Sequence, residues 1–237
     1  MKKHAIITGT SSGVGKAAAK KFLDNDIIVY GFDVKDPTIE HENYMHFHCD
    51  VRQKDTLPDL KHIEYIVNNA GIVTPQKDAM DVNFFGYVNI LEKYANDSKL
   101  ISIVQIGSTA SFKGYDNIRY CGSQGARDSL TKWAANNYGN DPRHVIVNSL
   151  NLDGIVAADP SRGIEGTELE PELYAVDGLM DEIANLSVLK KLATVSDIAE
   201  WIYFLAVVNK VMTGEILHID GELIGAYKFI KYPGWDS

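Results

Sequence analysis

The chain has 237 residues, 45% of them hydrophobic, and a formal net charge of −9. That length and apolar content suit one α/β domain over 1–237, and an acidic surface repels phosphate backbones, which argues against nucleic acid or an anionic membrane as a partner. Two cysteines, Cys49 and Cys121, fit a reducing compartment better than a disulfide scaffold. Only three apolar residues separate His4 from Thr8, too few for a signal peptide, and no apolar run reaches the roughly 20 residues of a membrane helix. The expectation is a cytoplasmic protein.

In chain order, residues 5–8 read as a strand, 16–25 as a helix, and 27–33, 44–50 and 63–68 as further strands. A helix follows at 78–96, a strand at 100–106, a helix at 118–138 and a strand at 145–150. An irregular stretch at 157–171 carries Gly163, Gly166 and two prolines, and reads as a substrate lid leading into a short amphipathic helix at 172–186; the lid region spans about 157–190. Helix 196–208 and strand 216–220 close the pattern. Strands separated by helices imply parallel pairing with right-handed crossovers. Their apolar character fits a sheet of about seven strands covered by helices on both faces, a doubly wound α/β fold.

The strongest local signal is Thr8-Gly9-Thr10-Ser11-Ser12-Gly13-Val14-Gly15, placed where a strand ends and a helix begins. Glycines there let the backbone approach a pyrophosphate, and the helix N-terminus supplies free N–H donors, as in Rossmann-type domains. Asp33 ends the second strand, 18 residues after Gly15. A carboxylate at that point accepts hydrogen bonds from ribose hydroxyls and repels a 2′-phosphate, so NAD is expected over NADP. Lys35 offsets part of that charge.

The spacing TGxxxGxG resembles that of the short-chain dehydrogenase/reductase family, and four more segments in order extend the resemblance over residues 4–221. Asn68-Asn69-Ala70-Gly71 matches the family's NNAG, and Asp50-Val51 matches a pair that contacts adenine in relatives. Asp81-Val82-Asn83-Phe84-Phe85-Gly86 looks like the helix segment carrying a structural and catalytic Asn. Thr213-Gly214 with His218-Ile219-Asp220-Gly221 resembles the TG…DGG ending, with Glu222 replacing the second glycine. Tyr120-Cys121-Gly122-Ser123-Gln124 occupies the place of YxxxK, and Ser108 that of the catalytic serine, with Thr109 as its fallback. The Ser108–Tyr120 spacing is 12, one shorter than the family pattern implies. The short connection between Asn69 and Asn83 resembles the compact carbonyl reductase and 3α-hydroxysteroid dehydrogenase branch.

The resemblance implies hydride transfer between a nicotinamide and a carbonyl or alcohol carbon. Tyr120 would be the general acid/base, Ser108 would orient the oxygen, and Asn83 would support the site through water. Gln124 departs from the pattern. Positions i and i+4 share a helix face, so Gln124 should face the nicotinamide ribose. Its amide can bond the ribose hydroxyls, but it brings no charge. A unit charge roughly 5 Å from a tyrosine, at an effective dielectric near 20, is worth about 3 kcal/mol, on the order of two pKa units. Catalysis should therefore be weak or rest on another cation. Arg127, one turn beyond Gln124, is a candidate by helix spacing, Arg119 and Lys113 are others, and each reads first as an ordinary surface or interface charge.

A second departure is Leu152-Asp153, which replaces the family's Pro-Gly beside the carboxamide site. Ala157 stands where a threonine often binds the cofactor, and Ile155 still offers its backbone there. His46, His48, Cys49 and Asp50 form no convincing metal site. Trp201, Tyr203 and Phe204 read as core or interface. The expected function is an NAD(H)-dependent oxidoreductase of a small ketone, 3-oxoacyl thioester or secondary alcohol, assembled as a homotetramer or homodimer through helices 78–96 and 118–138. The alternative is an impaired dinucleotide-binding sensor or scaffold. An unrelated nucleotide-binding domain, such as a methyltransferase, would lack the NNAG and tyrosine segments.

Overall fold

The computed structural model describes residues 2–157, 167 and 178–221. Its elements are β1 (His4–Thr8), α1 (Gly13–Leu23), β2 (Ile28–Asp33), β3 (Tyr44–His48), β4 (Tyr65–Asn68), α2 (Gly86–Tyr94), β5 (Ser102–Ser108) and α3 (Ala110–Lys113). They continue with α4 (Ile118–Gly139), β6 (Ile146–Leu152), β7 (Ile155–Val156), α5 (Leu179–Leu186), β8 (Ala193–Thr194), α6 (Val195–Tyr203) and β9 (Ile216–Ile219). Seven strands form one parallel sheet in the order β3-β2-β1-β4-β5-β6-β9. This is the Rossmann-type doubly wound arrangement, and its order reverses between β1 and β4, where ligands bind at the carboxyl ends of the strands.

Alternation along the strands builds two cores. Ala5, Ile7, Val29, Val67 and Val104 pack with Ala18 and Phe22 of α1 and Ile198 and Ile202 of α6. Ile6, Ile66, Ile103 and Val147 pack with Ile90, Leu91 and Tyr94 of α2 and Ala134 of α4. Successive side chains of a strand point to opposite faces, so one apolar run feeds both layers.

Several expected boundaries shift for identifiable reasons. α1 begins at Gly13, not residue 16, because the last glycines of the loop form its first turn despite their poor helix propensity. β5 and β6 run to Ser108 and Leu152, two residues past their expected ends. Asn151 can sit inside β6 because Ser149, Asp128 and Ser111 bond its amide. The single helix expected at 78–96 is a 3₁₀ turn (Gln76–Asp78), a π-helical turn (Asp81–Phe85) and then α2. Helix 196–208 is likewise α6 followed by a π-helical turn, Phe204–Val208. The short ladder β7–β8 and helix α3 have no counterpart in the sequence reading. Of the lid and its helix, residues 158–166 and 168–177 lie outside the described residues. Tyr203 packs on Phe22, whereas Trp201 and Phe204 are exposed.

Candidate active site

The cofactor end is assembled by hydrogen bonds between loops that follow adjacent strands. The Thr8 hydroxyl accepts from the N–H groups of Asn69 and Ala70 at 2.9 and 2.8 Å, and the Asn69 amide donates to Thr8 O at 2.9 Å. The glycine loop and the NNAG segment are thus one unit at the switch point. At Gly15 a Cβ would stand 2.0 Å from Gly9 O, so only glycine lets α1 start this close to the loop. Ser12 caps α1 without a side-chain bond, which leaves the first N–H groups of the helix for an anion.

Asp33 accepts from Ser11 N–H and from Lys35 N–H, both at 2.9 Å. Ser11 is buried and donates its hydroxyl to Lys35 O, so its polar groups serve the loop itself. A cavity of about 480 Å³ is lined by Gly9, Ser12, Asp33, Cys49, Asp50 and Val51 together with Asn69, Ala70 and Gly71. Gly13, Val14 and Gly15 form the first turn of α1, directly after Ser12 of that lining, and are not themselves among the lining residues. Lys35 and Arg52 also reach this cavity. Arg52 forks onto Asp50 at 2.6 Å and holds that carboxyl below its usual range, chiefly through the hydrogen bond. Burial, then Asp50 and Asp33, push the Cys49 thiol up to about 11. Both ring nitrogens of His46 are engaged, one with Tyr44 and one with Lys35 O.

A second cavity, of about 220 Å³, shares Asn69, Gly71 and Ile72 with the first. It brings together Ser108, Tyr120, Gln124, Asn83 and Ile155, along with Arg127 and Asp153. Ser108 ends β5 opposite Leu152, and its Oγ accepts from Ala110 N–H at 3.2 Å. Asn117 caps α4 by accepting from Tyr120 N–H at 2.9 Å, which fixes Tyr120 in the first turn. The extra residue of the π turn turns Asn83 inward. Its Oδ1 accepts from Ile72 N–H and its Nδ2 donates to Ile72 O, each at 2.8 Å, and Nδ2 also donates to Ser123 Oγ at 3.1 Å. Asn83 therefore fastens the segment after NNAG to α4. Ile155 lies in β7 opposite Ala193.

Two cations read as surface charges are not. Arg127 is 3% exposed and Gln124 1%. Arg127 Nη1 donates to Gln124 Oε1 at 2.8 Å, and Nη2 donates to the Tyr87 hydroxyl, which in turn donates to Ile106 O at 3.0 Å. Its guanidinium carbon is 4.1 Å from the Tyr87 ring centre. Burial raises the Tyr87 pKa, and Arg127 opposes that rise. Lys113 bridges Asp153 at 3.1 Å and Asp220 at 2.7 Å. The Asp153 side chain is 3% exposed and also accepts from Thr109 Oγ1 at 2.6 Å and Gly154 N–H at 2.8 Å. The Leu152-Asp153 departure thus brings a buried carboxylate and its own counter-ion, and it takes Thr109 away from the fallback role. Arg119 is exposed. The helix spacing of Tyr120, Gln124 and Arg127 was the signal for Arg127; nothing local in the sequence pairs Lys113 with Asp153.

Residues 3–164, more than half of the chain, match the short chain dehydrogenase family. An uncharacterized oxidoreductase of Schizosaccharomyces pombe is 26% identical, over 92% of this chain and 90% of its own length. The structure described as ElxO with NADP bound is 26% identical with a TM-score of 0.77, over 93% of this chain and 98% of that one. A 4-hydroxyisoleucine dehydrogenase mutant complexed with NADH and succinate shares the fold at 23% identity and a TM-score of 0.78, covering 94% and 99% of the two chains. The chain belongs to the short-chain dehydrogenase/reductase family and is an enzyme, an oxidoreductase whose fold binds nicotinamide dinucleotides.

Proposed function

We propose that the enzyme uses NAD(H) to reduce a small ketone or a 3-oxoacyl thioester, and to oxidise the secondary alcohol in reverse. The observation that carries this reading is continuity: the cavity at Asp33 and the cavity at Tyr120 share the wall formed by Asn69, Gly71 and Ile72. The uncapped start of α1 and the close approach at Gly15 fit a pyrophosphate. A bound nicotinamide dinucleotide supplies or accepts the hydride.

The remaining steps belong to this chain's residues. Gly9, Ser12, Gly13, Val14 and Gly15 hold the phosphates, with Ser11 shaping their loop. Asp33 receives the ribose hydroxyls, Asp50 and Val51 flank the adenine, and Asn69, Ala70, Gly71 and Ile155 line the path to the reacting end. Ser108 Oγ, which accepts from Ala110 N–H, keeps its own hydrogen for the substrate oxygen. Tyr120 passes its phenolic proton to that oxygen in reduction and takes it back in oxidation. Gln124 donates to the ribose from Nε2, and Asn83 holds the wall at Ile72. Asp33 at the end of β2 favours NAD. Arg52, which lines that cavity with Lys35, is paired with Asp50.

The single domain would assemble as a homotetramer or homodimer through α2 and α4. Exposed Phe85, in the π turn that leads into α2, and exposed Ile118 and Trp133 of α4 support that arrangement. Both cysteines are free thiols, in keeping with a cytoplasmic setting. A second reading, a dinucleotide-binding sensor with impaired chemistry, is favoured by Gln124 and by Asp153 at the carboxamide site. NADH consumption over ketones, quinones and 3-oxoacyl thioesters, by the parent, Tyr120→Phe and Gln124→Lys side by side, separates the two. Turnover lost in Tyr120→Phe supports the enzyme reading. Tight NADH binding with no turnover by the parent, and turnover in Gln124→Lys, supports the sensor.

A further inference from the structure

Arg127 is a buried cation with no carboxylate at ion-pair distance among the described residues, and its Nε has no hydrogen-bond partner there. A charge held this way is costly unless something in the site balances it. Its two bonded partners, Gln124 and Tyr87, are neutral. It lies on the face of α4 that carries Tyr120 and Gln124, at i+7 and i+3, and lines the same cavity. Seven residues of helix rise about 10 Å, and helical side chains lean toward the N-terminus, so the guanidinium reaches back along the Tyr120 side. Its Nη1 stands 3.8 Å from where a Cβ on Gly71 would be, beneath the shared wall of the two cavities.

Resting on the reductase reading, we propose that Arg127 is the positioning residue that replaces the charge of the missing lysine. It stabilises the negative charge that Tyr120 acquires when its proton leaves, and it fixes the orientation of Gln124. Arginine has donors only, so it must meet the oxygen of the amide. That turns Nε2, which has no hydrogen-bond partner among the described residues, toward the ribose side as a donor. The two tasks that one lysine performs in relatives are thus divided between Gln124, which bonds, and Arg127, which brings the charge.

Other titratable groups around Tyr120 come from different elements. Tyr87 of α2 holds Arg127. Asp153, after β6, brings a carboxylate to the same cavity and is paired with Lys113 of α3. Tyr115 bonds Thr109. Arg127 is the cation of this set that no carboxylate among the described residues neutralises.

The test is a near-ultraviolet titration of tyrosinate in the cofactor-free protein, with the matching Tyr120→Phe protein subtracted, alongside the pH profile of kcat/KM. Arg127→Met should raise the Tyr120 midpoint by about one unit, the shift a unit charge produces across roughly 10 Å at an effective dielectric near 20. Arg127→Lys should keep the midpoint within about half a unit, and adding Gln124→Lys to Arg127→Met should bring it back down. Arg127→Gln, which retains a donor toward Tyr87, serves as the uncharged variant if Arg127→Met fails to fold. An unchanged midpoint in the uncharged variant, or an equal rise in Arg127→Lys, overturns the proposal. A parent inactive on every carbonyl overturns the reductase reading instead, and the titration still decides the role of Arg127.

Discussion

Gln124 and Arg127 meet through a 2.8 Å hydrogen bond in the interior of α4's inward face, acceptor to donor, with neither side chain more than a few per cent exposed. The bond makes the residue at position 124 dependent on the residue one turn further on. Restoring the family's lysine alone should therefore do harm. Gln124→Lys would remove the acceptor of Nη1 and place a second buried cation beside the first, at an expected cost of about 2–4 kcal/mol in urea unfolding. Combining it with Arg127→Met should recover most of that loss. A double-mutant cycle that proves additive would contradict the coupling.

Cofactor preference should turn on Asp33. Asp33→Ser removes the carboxylate but leaves Lys35 and Arg52 at the same cavity. The ratio of kcat/KM for NADPH over NADH is expected to rise by about 10-fold or more, a change of about 1.4 kcal/mol. A steady-state comparison with both cofactors checks this. Because Asp33 also accepts from Ser11 N–H, a small loss of stability should accompany the switch.

The buried pair of Lys113 and Asp153 should behave as a unit. Lys113→Met leaves the Asp153 carboxylate, 3% exposed, with hydroxyl and N–H donors but without its cation. A loss of about 2–4 kcal/mol is expected. Lys113→Met with Asp153→Asn should be clearly more stable than Lys113→Met alone, since the more deeply buried of the two carboxylates that Lys113 bridges no longer carries a charge, and Asp220 alone remains. Denaturant midpoints of the three proteins give the answer, and equal losses in the single and double variants would refute the pairing.

Cys49 reports on the adenine end. With its thiol pushed up to about 11, mainly by burial, it resists alkylation at neutral pH. In a Cys121→Ser protein the labelling rate should rise about tenfold per pH unit until the midpoint is approached. The direction follows from the shift: a raised thiol pKa keeps the unreactive form to higher pH. Cys49 borders the cavity with Asp33 and Asp50, so NADH should slow the labelling further. Rapid labelling at neutral pH would contradict this environment.

The sheet, and the gathering of most of the candidate site residues around two adjoining cavities, were legible in the sequence because period and punctuation are local. Apolar runs between glycine turns gave the strands, and Thr8–Gly15, Asn69–Gly71 and Tyr120 announced their places at strand ends and a helix start. What escaped depends on contacts between distant segments. The π turn that aims Asn83 has no pattern in an apolar helix stretch, and Asn117 gave no sign that it would cap Tyr120. Arg127 follows the right spacing, but an arginine three residues along a helix is usually solvated; only the approach of Tyr87 from α2 makes it a core residue. Asp153 stood out as a departure, yet its meaning lies in Lys113, 40 residues earlier in the chain.

Hydride transfer itself is tested by passing label from NADH deuterated at the transferred position to a carbonyl substrate, followed by mass spectrometry of the product. Deuterium on the carbinol carbon is expected with the parent, and a rate lower by about 100-fold or more in Tyr120→Phe, the usual scale for a lost general acid. NADH bound at the cleft with no label passed to any carbonyl, or equal transfer by Tyr120→Phe, would contradict that expectation.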